Sequence, residues 1–169
     1  MKKNNVVLIG MPGCGKSTIG VLLAKNLAYS FMDSDLLIQE QEGRKLQEIL
    51  DTDGIEYFEA LENRVNAGIE AERTVIATGG SAVYGKEAME HLRTIGTVVY
   101  LKIPYDELNR RIDNFETRGI VLKDGQTFND LYLERSPLYD RYAHITVEPN
   151  GEAWETVETL TEALKAYLK

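Results

Sequence analysis

Residues 6–27 read VVLIGMPGCGKSTIGVLLAKNL, and three kinds of chain follow one another within them. Val6–Gly10 is a continuous apolar run closed by a glycine, the pattern of a strand buried on both faces in a parallel sheet. Beyond Lys16, the residues Ile19, Leu22, Leu23 and Leu27 fall on one face of a helix. Between strand and helix, Gly10-Met11-Pro12-Gly13-Cys14-Gly15-Lys16-Ser17 matches GxxxxGK[ST] in full. Strand, glycine-rich turn and helix, in that order, are the context in which this motif cradles nucleotide phosphates. Its glycines let backbone N–H groups converge on phosphate oxygens, and the helix N-terminus adds the positive end of its dipole. Lys16 is placed to reach the β- and γ-phosphates and Ser17 to ligate Mg2+. ATP and Mg2+ are therefore the expected cofactors, with Gly13, Cys14, Gly15, Lys16, Ser17 and Thr18 around the phosphates. Cys14 itself reads as a small residue at an unconstrained loop position, because His91 and His144 lie where surface or packing roles suit them and neither is a base for it.

Four further strands are predicted, at Tyr29–Met32, Thr74–Ala77, Val98–Leu101 and His144–Val147. Helical patterns separate them at 36–50, Ile55–Ala71, Lys86–Leu92, Asp106–Asp113 and Phe128–Tyr142, the last allowing a kink near Pro137, and Glu152–Leu168 closes the chain as a helix. Strands alternating with helices predict an α/β fold, a five-stranded parallel sheet with helices on both faces in three layers. Ligands of such sheets sit beyond the carboxyl ends of the strands. Asp33, Asp35, Gly79, Gly80 and the glycine-rich turn all fall at such ends, so they are expected to converge on one cleft. A polar stretch with Gly119 and Gly125, at about 112–126, is expected to be a mobile lid on a single domain spanning 1–169.

The 169 residues are 43% apolar and 27% charged, an ordinary globular balance able to bury a core without metal or disulfide staples. One cysteine excludes an internal disulfide and suits a reducing, cytoplasmic setting. A net charge of −8 argues against a nucleic-acid partner, and no stretch reaches the length of a membrane span. The expected partner is a small molecule. Three classes share the phosphate motif: small-metabolite kinases, GTPase-type switches and nucleotide-binding modules without chemistry. A switch would carry NKxD, which is absent, and Asp51-Thr52-Asp53-Gly54 mimics its DxxG only after a helical stretch. Paired carboxylates beside the phosphates and an arginine in a polar loop favour the kinase.

At this point the chain resembles the shikimate kinases. The resemblance rests on Gly10–Ser17, Phe31-Met32-Asp33-Ser34-Asp35, Gly43-Arg44, Asp53-Gly54 with Phe58 and Glu62, Thr78-Gly79-Gly80, Arg118, and Arg135-Ser136-Pro137-Leu138-Tyr139, in family order from residue 5 to about 142. It implies a P-loop NTPase fold, ATP-dependent phosphorylation of shikimate to shikimate 3-phosphate, and a monomer. It further implies that Asp35 binds the acceptor hydroxyl as base or orienting group, that Asp33 holds Mg2+ with Ser17, and that Gly79 and Gly80 offer backbone N–H groups. Arg118 would neutralise charge on the transferring group, Arg111 would stack on adenine, and Arg135 would grip the substrate carboxylate with its guanidinium fork.

Two positions depart from the family pattern. The residue after Phe58, normally an arginine that binds the substrate carboxylate, is Glu59, and the third glycine after Thr78 is Ser81. An inward Glu59 opposite Arg135 would suit a zwitterion such as homoserine, threonine or serine. A Glu59 turned to solvent, or paired with Arg44 or Arg135, would leave shikimate as the acceptor.

Overall fold

A computed structural model of the chain describes residues 4–112 and 120–168. The strands are β1 (Asn5–Ile9), β2 (Ser30–Asp33), β3 (Thr74–Ala77), β4 (Gly96–Leu101) and β5 (Ile145–Val147). They form one sheet in the order β2-β3-β1-β4-β5, and every pairing is parallel. β1 lies in the middle, Val6 opposite both Val75 and Thr97, and all five of its residues are buried, as its apolar run requires. The helices are α1 (Lys16–Leu27), α2 (Ser34–Glu42), α3 (Leu46–Ala67), α4 (Lys86–Ile95), α5 (Tyr105–Arg111), α6 (Phe128–Tyr142) and α7 (Ala153–Leu164). α1 packs with α7, and α3 with α4. Among the described residues, no helix is long and apolar enough to cross a membrane.

Two expectations about helices change. The helix expected over 36–50 is two helices, because α2 stops at Glu42 and Gly43 turns left-handed at φ 66°. The helix expected from Ile55 begins at Leu46 instead, is interrupted at Gly54 (φ 84°, ψ 176°) and ends at Ala67. Asp51–Gly54 thus lies inside α3, as its reading as a switch mimic required, and Asp53 pairs with Arg44 at 2.7 Å. A short 3-10 turn at Ala82–Tyr84 had no signal in the sequence. A second, smaller apolar cluster gathers Ile38, Ile49, Phe58, Leu61 and Val121 beside the main core, joining α2 and α3 to the segment after residue 119. His144 accepts the Val98 N–H at 2.9 Å, the packing role expected of it.

The turn after β1 is fixed by space as well as by motif. A Cβ at Gly10 (φ 149°) would stand 2.8 Å from both the Leu101 carbonyl oxygen and Cys14 Sγ. Only glycine lets the chain leave β1 there. Cys14 is buried in the core, so its position is tightly constrained, contrary to the expectation from sequence.

At the opposite end of the sheet, Asn5 is fully buried. Its side-chain amide donates to the Ala71 and Ile95 carbonyls at 2.7 and 2.9 Å and accepts from the Thr74 N–H at 3.0 Å. It ties the starts of β3 and β4 to β1 without touching the cleft. Asn5→Ala strands three backbone groups, two of them in buried bonds, and is expected to cost about 2–4 kcal/mol. The urea midpoint should fall accordingly while the m-value stays constant.

Candidate active site

The carboxyl ends of β1, β2 and β3 open into a cavity of about 410 Å3. Gly13, Gly15, Lys16, Ser17 and Thr18 line it from the glycine-rich turn. Asp33, Asp35, Gly79, Gly80 and Arg135 line it from β2, α2, the loop after β3, and α6. Ten of the sequence-predicted site residues therefore meet in one space. Cys14 and Arg111 line an adjoining cavity of about 210 Å3, which shares Gly15 and Thr18 with the first. Glu59 is half-buried, lines neither cavity, and forms no ion pair among the described residues. Arg44 is engaged by Glu42 at 3.0 Å and Asp53 at 2.7 Å, so it does not partner Glu59. Of the two orientations open to Glu59, its absence from both cavity walls goes against the inward one: one turn on, Glu62 occupies the cavity wall instead. Arg118 lies outside the described residues, as do positions 113–119 of the expected lid.

Each wall has a local cause. Lys16 opens α1 and folds back over the turn, donating to the Gly10 and Met11 carbonyls at 2.7 and 2.9 Å and to Cys14 Sγ at 3.6 Å. Asp33 ends β2 and caps α2, its Oδ1 accepting the Asp35 N–H at 2.9 Å, while Oδ2 accepts from the Ser17 hydroxyl at 3.1 Å. The capping role and a place beside the phosphate turn are thus met by the two oxygens of one carboxylate. Thr78 bonds the Leu8 carbonyl through Oγ1 (2.8 Å) and N–H (3.2 Å), which draws Gly79 and Gly80 alongside β1. Neither glycine has room for a side chain. A Cβ at Gly79 would lie 2.6 Å from Asp35 Oδ1 and 2.7 Å from Glu62 Oε2, and one at Gly80 would lie 2.8 Å from an Arg135 guanidinium nitrogen.

Arg135 is 1% exposed. Its Nε donates to the Tyr84 hydroxyl at 3.3 Å, its Nη2 to the Val121 carbonyl at 3.4 Å, and the guanidinium also lies over the Tyr84 ring. Burial opposes its charge, but the phenols of Tyr139 and Tyr84 outweigh that and raise its pKa. Tyr84 in turn donates to Glu134 at 2.6 Å, and Tyr139 donates to the Gly80 carbonyl at 2.6 Å.

Two acids are displaced from their ordinary range. Burial, then the neighbouring Asp33, raises Asp35 to about 6 against the pull of Lys16. Burial, then Asp35, raises Glu62 to about 8, with Ser81 and Arg135 opposing and Glu59 adding to the rise. Glu62 was absent from the residues expected at the site. Its position four after Phe58, on the buried face of α3, was the available signal.

The arrangement has parallels among known proteins. The family model described as shikimate kinase matches residues 12–165. A shikimate kinase of Clostridium botulinum (strain Alaska E43 / Type E3) is 35% identical over 164 residues, which cover 96% of this chain and 98% of that one. Another, from Francisella tularensis subsp. novicida, is 36% identical over 172 residues, with 99% and 96% covered. Among solved structures, a shikimate kinase from Acinetobacter baumannii in complex with shikimate superposes with a TM-score of 0.87 at 32% identity, covering 99% of this chain and 96% of that one. A gluconokinase from Sinorhizobium meliloti 1021, 17% identical with a TM-score of 0.55, shares the fold alone.

Glu62 has a measurable consequence for the free protein. Its folded pKa lies above the unfolded value, so the folded state holds a proton that the unfolded state releases. Stability from this group is complete below about pH 4.5 and declines until pH passes about 8. Glu62→Gln keeps the shape and removes the titration. It is expected to flatten the pH dependence across that window and to raise stability near pH 8 by about 2–4 kcal/mol. Urea titrations of both proteins at pH 5, 6.5 and 8 measure the difference.

Proposed function

The chain belongs to the shikimate kinase family, and we infer from this and from its cavity that it transfers the γ-phosphoryl group of ATP to a hydroxyl of shikimate, giving shikimate 3-phosphate. The observation that carries the inference is the single cavity in which the phosphate turn meets Asp35 and Arg135. A donor half alone would bind nucleotide. A carboxylate for a hydroxyl and a guanidinium for a carboxylate, opening on the same space, supply the acceptor half.

The chemistry asks mainly for positioning and charge stabilisation. Gly13, Gly15 and Thr18 would surround the phosphates, and Lys16 would turn from its loop carbonyls toward the β- and γ-phosphates. Arg111, in the adjoining cavity beside Gly15 and Pro149, is suitably placed to stack on the base, and Cys14 would serve only as part of that wall. Ser17 and Asp33 suit Mg2+: both offer hard oxygens, they stand 3.1 Å apart at the cavity wall, and two protein ligands leave the other positions to phosphate and water. The ion when bound would neutralise phosphate charge. Asp35 would orient the acceptor hydroxyl and take its proton, its ionised form prevailing above about pH 6. Gly79 and Gly80 bring backbone close to the acceptor, and Arg135 would hold its carboxylate. Arg118 is assigned by the family resemblance to neutralise the transferring group. The amino-acid acceptors required an inward Glu59, and its half-buried position away from both cavities favours shikimate over them.

ATP consumption measured with shikimate, homoserine, threonine and serine tests the reading. Turnover is expected with shikimate; turnover of an amino acid without shikimate would overturn it. Lys16→Met should abolish transfer and leave the circular dichroism and melting transition intact; normal turnover by that variant would refute the donor half. Arg135→Ala is expected to raise the shikimate KM about 10–100-fold, as loss of charged hydrogen bonds does, with the ATP KM within about twofold.

A further inference from the structure

Arg135 is the one guanidinium lining the cavity among the described residues, so a planar grip on an acceptor carboxylate rests on it alone. It forms no ion pair among the described residues. A carboxylate bonded directly to it would take donors and offset charge that the acceptor needs. Neutral groups set its orientation instead. Nε donates to the Tyr84 hydroxyl at 3.3 Å, and the guanidinium carbon lies 5.3 Å from the centre of the Tyr84 ring. Nη2 donates to the Val121 carbonyl at 3.4 Å. With Nε spent on the phenol, the fork left for a carboxylate is the Nη pair, and Nη1 stands beside Gly80 on the cavity wall.

A hydroxyl has one hydrogen and can turn it toward either neighbour. Turned toward Arg135, it would set O–H against N–H and the bond would be lost. Glu134 decides the matter. Its Oε1 accepts from the Tyr84 hydroxyl at 2.6 Å, so the proton is directed to Glu134 and a lone pair is left for Nε. The other oxygen of Glu134 accepts from the Gln126 side-chain amide at 3.0 Å. Gln126 is fixed by its own turn: its N–H donates to the Lys123 carbonyl at 2.9 Å, and its Oε1 accepts the Lys123 N–H at 3.2 Å. Burial, then the bond to Glu134, pushes the Tyr84 phenol up to about 12, so it keeps its proton through the neutral range. Tyr84 closes the 3-10 turn that follows Gly79 and Gly80, and it lines neither cavity. Any effect it has on the acceptor therefore passes through Arg135.

We propose that Tyr84 is a positioning residue for the acceptor: with its proton held by Glu134, its hydroxyl fixes the turn of the Arg135 guanidinium and aims the Nη edge at the acceptor carboxylate. The proposal rests on shikimate occupying this cavity with its carboxylate on Arg135. It makes Tyr84 and Glu134 a pair whose loss is felt in acceptor binding and not in ATP binding.

Steady-state kinetics at neutral pH, with shikimate and ATP varied separately, test it. Tyr84→Phe keeps the ring beside Arg135 and removes only the oxygen. It should raise the shikimate KM about tenfold, as loss of one hydrogen bond to a charged group does, with kcat within about threefold and the ATP KM within about twofold. Glu134→Ala frees the hydroxyl to turn and should raise the shikimate KM about fivefold. Glu134→Gln, which keeps an accepting oxygen, should restore it to within about twofold. Because both residues act through one bond, the double variant Tyr84→Phe with Glu134→Ala should match Tyr84→Phe alone. A shikimate KM in Tyr84→Phe within twofold of the unaltered enzyme would overturn the proposal. So would an equal rise in both KM values, which marks a structural defect, a product of the two effects in the double variant, or a Glu134→Gln enzyme as weak as Glu134→Ala. If the unaltered enzyme does not turn over shikimate at all, it is the assigned acceptor that fails, and this inference fails with it.

Discussion

The Leu8 carbonyl accepts twice from Thr78, once from its hydroxyl and once from its backbone N–H. That small knot joins the chain leaving β3 to the last turn of backbone before the phosphate loop. Without it, Gly79 and Gly80 would be free to drift from the sheet edge, and Asp35, Glu62 and Arg135 would lose the surface against which they pack. The fit is close enough that neither glycine tolerates a side chain, since each would meet a charged group at under 3 Å. Donor and acceptor halves are therefore not two pockets brought near each other. They are two sides of one strip of backbone, and the strip is held from β1.

Charge in the cleft follows from that closeness. The chain as a whole is acidic, yet its most deeply buried charged side chain among the described residues is a cation, Arg135. Arg135 survives burial because phenol groups surround it: Tyr84 accepts its hydrogen bond, and Tyr139 beside it bonds the Gly80 carbonyl. The acids opposite survive by moving their titration toward and past neutrality. A low-dielectric pocket that must hold an anion beside carboxyl groups has few other solutions.

The sheet, its parallel sense and the phosphate loop were legible because each rests on a local pattern: the Val6–Gly10 run, the GxxxxGK[ST] spacing, and the periodic face of α1. Thr74–Ala77 and Phe128–Tyr142 fall where the sequence puts them, and in the structure a capping box of Thr127 and Asp130 fixes the start of the latter. What escaped was decided by three-dimensional neighbours. Gly43 ended a helix that periodicity alone would have continued. The phase of α3 put Glu62 on the cavity wall and left Glu59 off it, which composition at 55–62 could not distinguish. Cys14 looked free because loops usually are, and only the approach of Leu101 to Gly10 shows how little room surrounds it. Ser81 stands in the sequence only as a departure from the family's glycine, and its bond to Glu62 is made across 19 residues of chain.

Lys16 carries a consequence for ligand choice. Its ammonium group is already engaged: two carbonyl oxygens and a sulfur of its own loop accept from it. An incoming anion gains only the difference between its own bonds to Lys16 and those three. A singly charged anion gains little by that exchange, whereas a polyphosphate, adding the loop amides and the helix dipole, gains a great deal. A ligand of this loop is therefore measured against the loop's own carbonyls, and only one that offers Lys16 more than they do gains by displacing them.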